Sequence, residues 1–222
     1  MMPETISQLL LWPSRIQFSW RNRKRLATSA ALIEVLMKRH TEVERADWPA
    51  YRMVYNVGLF AALADEDLWA CSEAVSFART AWHGRFHAKH LAVLMYETPH
   101  DLSQMLGPRF DNSIVALDLD KPWLDRSHAI LAKIEAFRER NKTVLGEIRN
   151  NVGAHREQRA VEQVRVFAAI DPLRMLAIAI ELAEPLSELM VFVKNLVTYM
   201  HNPVVMLMHG AKMVDRFRTA SS

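Results

Sequence analysis

The chain has 222 residues, 50% of them hydrophobic and 24% charged, with a formal net charge of +3; this suffices for one buried core and argues against wholesale disorder. Glycine is scarce at 6 residues, and neither a G-x-G-x-x-G nor a Walker pattern occurs, which sets aside turn-rich β folds, dinucleotide sites and P-loops. The single cysteine, Cys71, excludes an internal disulfide and a zinc ribbon, and reads as a core residue of a cytoplasmic protein.

The first apolar run, Leu9 to Trp12, is too short for a signal peptide. Five cations follow without an intervening acid: Arg15, Arg21, Arg23, Lys24 and Arg25. Such a cluster attracts a phosphate backbone or an acidic partner. Its plainer reading is the solvated first turn of a helix over 19–45. Asp47 ahead of Pro49 predicts a helix over 49–64, and a further helix is expected over 66–97.

That third helix carries "WHGRFHAKH", in which His83, His87 and His90 recur at i, i+4 and i+7, with Glu97 extending the row. Imidazoles one turn apart can share a metal, and a carboxylate can complete the set. The row lacks H-E-x-x-H, and Gly84 is placed to bend the helix. An apolar seam of Leu68, Val75, Trp82, Phe86 and Val93 runs beside it, so the histidines read as border residues, and no metal cofactor is expected.

Thr98-Pro99 predicts a short helix over 99–106, and 107–121, "GPRFDNSIVALDLDK", has loop or short-strand character. Asp120 ahead of Pro122 opens a helix over 122–151, whose apolar stripe is Leu131, Ile134, Phe137, Leu145, Ile148 and Val152, with polar Asn141 inside it. Helices are expected over 158–170, over 172–200 after Asp171-Pro172, and over 203–217 after Asn202-Pro203. Pro185 is expected to kink or shorten the second of these. The apolar tail from Leu173 to Met208 is interrupted by Arg174, Glu181, Glu184, Glu188 and Lys194, too charged for a membrane span. The pattern predicts an all-α antiparallel bundle, one helical domain over 1–222 with a central core about 122–200 and added N- and C-terminal helices.

Within that core lies "RNNVGAH", residues 149–155. On a continuous helix Arg149 and His155 would point about 120° apart. Asn150, Asn151 and Gly153 are residues suited to a left-handed helix exit, and a chain that bends there brings His155 back beside Arg149. The plainer reading is cations at a helix C-terminus, favoured by the dipole and by free carbonyls.

The segment resembles the R-x(4–6)-H motif of HEPN domains, including the polar residue after the arginine, here Asn150, and its "RN…AHR" form is similar to abortive-infection and toxin-type members. The resemblance covers about 30 residues around the motif. It implies a helical bundle in which the arginine ends one helix and the histidine lies close beyond. It further implies a metal-independent endoribonuclease acting as a homodimer, its two motifs meeting in one cleft, with no cofactor and with RNA and an antitoxin or regulatory protein as partners. Arg149, Asn150 and His155 would be the catalytic set.

The residue types suit that chemistry. Attack by the RNA's own 2′-hydroxyl needs a base and an acid, and histidine, with an ordinary pKa of ~6.5, serves as either. A guanidinium grips the charge that builds on phosphorus. Two alternatives stand beside this reading: a noncatalytic nucleotide- or RNA-binding or regulatory protein that dimerises through the same helix, and a His-rich metal-dependent enzyme.

Overall fold

Proline sets most of the helix starts. A pyrrolidine at the first helical position lacks only an N–H that would have no intrahelical partner, and its fixed φ suits the helix. The computed structural model describes residues 29–150 and 160–202, and among them the chain is all-α, with no strand. Helix α1 occupies 29–45. It is followed by α2 (Pro49–Ser76), α3 (Ala81–Met105), α4 (Pro108–Ala116), α5 (Lys121–Ile148), α6 (Ala160–Ala169) and α7 (Pro172–Met200). Four of these, α2, α4, α5 and α7, carry proline in their first two positions. Asp171 caps α7 by accepting the backbone N–H groups of Leu173 and Arg174.

Several boundaries differ from the sequence expectation. There is no break near residue 65: α2 runs through a buried Asp65 to Ser76, because nothing there removes a backbone donor. The break falls at 77–80, where the Thr80 hydroxyl accepts the N–H of His83 and starts α3. Thr98-Pro99 opens no new helix. Pro99 lies inside α3, and the buried Thr98, Pro99 and Leu102 hold that turn in the core against the loss of one ladder bond. The stretch expected as loop or strand contains α4, which buries Phe110 and Ile114 one turn apart. Pro185, also buried, does not shorten α7, which continues to Met200. The helix expected over 203–217 and the first part of that expected over 19–45 lie outside the described residues.

The helices pack as a bundle around one contiguous apolar cluster that draws on α1 through α7. α2 packs on α3, α4 and α7, while α5 packs on α3, α4 and α7. Tyr55, Phe110, Phe137 and Phe192 are among its fully buried side chains. Tyr55 keeps its hydroxyl satisfied against His201 Nε2 at 3.2 Å, and burial pushes its pKa up to about 12. Of the α5 stripe, Ile134, Phe137, Leu145 and Ile148 are buried and Leu131 is half-buried. Asn141 is accommodated there by donating its side-chain N–H to the Phe137 carbonyl at 3.2 Å. Val152 falls outside the described residues.

Gly146, on the last turn of α5, faces Tyr96 of α3. A Cβ at this position would stand 3.3 Å from Cε2 of Tyr96. This close approach positions the residue three places on.

Candidate functional site

That residue is Arg149. It caps α5 while keeping helical dihedrals, φ −58° and ψ −48°. Because Leu145 and Ile148 bury the inner face of the final turn, Arg149 emerges at the edge of the α3–α5 contact. Its Nε donates to Glu97 Oε1 at 2.8 Å, and one terminal nitrogen donates to Asn150 Oδ1 at 3.2 Å. The guanidinium carbon lies 5.7 Å from the Tyr96 ring centroid. A carboxylate from another helix, the adjacent amide and an aromatic face thus fix the plane of the guanidinium.

The pair is not sealed in the core: the Arg149 and Glu97 side chains keep 35% and 39% of their surface exposed. The two hydrogen bonds leave part of the guanidinium fork uncommitted among the described residues. An arginine serving only as a helix terminus would turn to the last carbonyls. Here the backbone N–H stays on the carbonyls of the last turn, while the described hydrogen bonds of the guanidinium go to side chains. The arrangement can present a preoriented cation to an anionic ligand.

The remaining motif residues Asn151, Gly153 and His155 lie outside the described residues, as do Arg15, Arg21, Arg23, Lys24 and Arg25. Sequence spacing groups Glu97 with His83, His87 and His90. The structure instead gives it to Arg149, across 52 residues of chain. His87 and His90 stand edge-on to Phe86, with ring centroids at 5.4 and 4.7 Å. The His90 pKa is lowered by burial first, then by Lys89 and His87. Among the described residues no three His, Cys, Asp or Glu side chains gather in a way that could hold a metal ion.

The apolar seam expected beside the histidines is only partly a seam. Leu68 and Val75 are buried, whereas Trp82 and Phe86 are 56% and 43% exposed. The turn at 77–80 resets the helical phase, so positions extrapolated from α2 come round to the outside of α3. Trp82 still rests one flank on Phe167 of α6, at 4.3 Å between centroids. Cys71 is half-buried against the core, and burial, aided by Asp67, pushes its thiol pKa up.

A separate cleft of about 540 Å³ opens where α1, α2 and α4 meet, lined by His40, Glu44, Arg52, Asn56, Arg109 and Asn112 among others. It includes neither motif residue. Neither the Tyr96 contact nor the Glu97 pairing is visible in the local sequence around Arg149. Gly146, a helix-breaking residue one turn before Arg149, was the one local sign of a close helix contact. No helix among the described residues is long and apolar enough to cross a membrane. Comparison with protein-family models, with curated proteins and with solved structures finds no match.

Proposed function

We propose that the C-terminal end of α5 is the catalytic edge of a metal-independent endoribonuclease of HEPN type, acting as a homodimer in a toxin or phage-defence setting. The observation that supports it is the guanidinium of Arg149, held by Glu97 and Asn150 yet still part-exposed at the helix end. In this reading Arg149 stabilises the phosphate charge, Asn150 orients it, and His155 transfers the proton. The 2′-hydroxyl attacks phosphorus and the 5′-oxygen leaves with a proton, so the chain is cut without water or metal in the first step. A two-fold partner brings a second histidine, and one imidazole then acts as base while the other acts as acid.

The test is cleavage of single-stranded RNAs and tRNA by the full chain in EDTA. His155→Ala is expected to lose about 10²- to 10⁴-fold in rate. Arg149→Lys, which keeps the charge and loses the two-pronged grip, is expected to be impaired as well. A folded wild-type protein that cuts none of these RNAs, or cuts them equally well without His155, favours the noncatalytic dimerising reading.

A further inference from the structure

The exposed aromatic face of α3 has no use in the cleavage chemistry just described. At ~100° per residue, Trp82, Phe86, Val93 and Glu97 fall within roughly 60° of one another around the helix. The face that holds Arg149 through Glu97 therefore continues, toward the start of α3, as a part-exposed apolar row. Phe86 lies about 16 Å along the axis from Glu97, and Trp82 about 22 Å. Phe86 and Trp82 are 43% and 56% exposed, well beyond what a core seam would leave.

The rings are braced. Trp82 packs on the buried Phe167, and Phe86 is held edge-on by His87 and His90. The Lys89 ammonium stands 5.2 Å from the Phe86 centroid. Along this stretch of chain the charge has one sign. Between Glu73 and Glu97 the chain has no acidic residue, while Arg79, His83, Arg85, His87, Lys89 and His90 all fall in that interval. The Arg85 Nε, buried in the helix surface, has no hydrogen-bond partner among the described residues.

We propose that this face of α3 is a binding platform for single-stranded RNA, with unpaired bases stacking on Phe86 and Trp82 and the backbone phosphates meeting Lys89 and its neighbouring cations. Aromatic rings interleaved with cations are what an unstacked strand needs, because every base has a π-face and every linkage a charge. A duplex keeps its bases stacked on each other and cannot use the rings. An acidic protein surface would satisfy the cations and leave the exposed rings unexplained. The strand would run along α3 from Trp82 to Glu97 and so deliver a phosphate to Arg149. In choosing RNA the proposal rests on the nuclease reading, but binding of an uncleavable strand does not require cleavage.

The experiment is fluorescence anisotropy of the full chain with a labelled single-stranded 2′-O-methyl RNA, which has no free 2′-hydroxyl to attack, and with the same strand in a duplex. The single strand is expected to bind more tightly than the duplex. Phe86→Leu, which keeps apolar bulk and loses the π-face, is expected to weaken binding about 5- to 150-fold, with Phe86→Tyr restoring it. Lys89→Gln is expected to weaken binding and to flatten its salt dependence. Circular dichroism confirms that each variant is folded, and Lys89→Gln carries the test alone if a ring variant is not. Equal affinity for strand and duplex, or unchanged affinity in Phe86→Leu and Lys89→Gln, overturns the platform. Loss of cleavage with this binding intact overturns the nuclease reading alone. Cleavage that proceeds normally in Phe86→Leu, with unchanged binding, overturns the platform alone.

Discussion

Glu97 separates a structural ion pair from a positioning one. It and Arg149 are both more than one-third exposed, so the bridge adds less than about 1 kcal/mol to stability. Glu97→Gln keeps the shape and loses the charge that holds Nε. Thermal unfolding is expected to change little, while RNA cleavage falls about 10- to 100-fold, the cost of a catalytic group set slightly out of place. If stability falls and cleavage does not, the bridge is only a brace between α3 and α5. His90 offers an independent check on the α3 surface. Burial, Lys89 and His87 favour its neutral ring, so by NMR it is expected to titrate below its ordinary value of 6.5. Its neutral form is the one favoured on folding, so its contribution to stability is present above the ordinary value and is lost as pH falls through the lowered one. A His90→Gln chain is expected to lose less stability between pH 7.5 and pH 5 than wild type.

At the scale of elements, two glycines make different demands. A Cβ at Gly58 of α2 would stand 2.8 Å from Cγ1 of Val193 on α7, a β-branched side chain with little freedom to turn. Gly58→Ala is expected to lower the urea midpoint, because overpacking costs about 1–3 kcal/mol. The gain in helix propensity is about 1 kcal/mol. At Gly146 the neighbour is the edge of a half-buried Tyr96 at 3.3 Å, which can move outward, so Gly146→Ala is expected to hold or raise the midpoint. An unchanged midpoint in Gly58→Ala would mean that α2 and α7 do not pack this closely. The same elements show what local sequence carries. Asp171-Pro172 marked a helix start because capping and ring geometry are settled within a few residues. Thr98-Pro99 shows the same pair inside a helix, where burial of Thr98 and Leu102 outweighs the local signal. The short helix α4 was hidden by its β-branched Ile114-Val115 pair, and only tertiary burial of Phe110 and Ile114 made it a helix.

At the scale of the molecule, among the described residues, apolar packing rather than ion pairing supplies cohesion. The α5–α7 seam carries Lys133–Glu188 and Arg140–Glu181, both exposed pairs of small worth. Beneath them lies a core shared by every described helix. That all-α core was legible from 3.6-residue periodicity and scarce glycine, which depend on composition and local pattern. The partner of Arg149 was not, since Glu97 lies 52 residues earlier and meets it only after α3 and α5 pack. Nor was the outward turn of Trp82 and Phe86, which depends on where α2 ends. In the proposed nuclease this scaffold presents Arg149 and His155 to RNA for cleavage by the strand's own 2′-hydroxyl. The most direct measurement is mass spectrometry of the fragment ends after the full chain has acted on single-stranded RNA in EDTA. Expected are 2′,3′-cyclic phosphate on the upstream fragment and 5′-hydroxyl on the downstream one, both lost in His155→Ala; 3′-hydroxyl and 5′-phosphate ends, or no fragments from folded protein, would overturn the proposed mechanism.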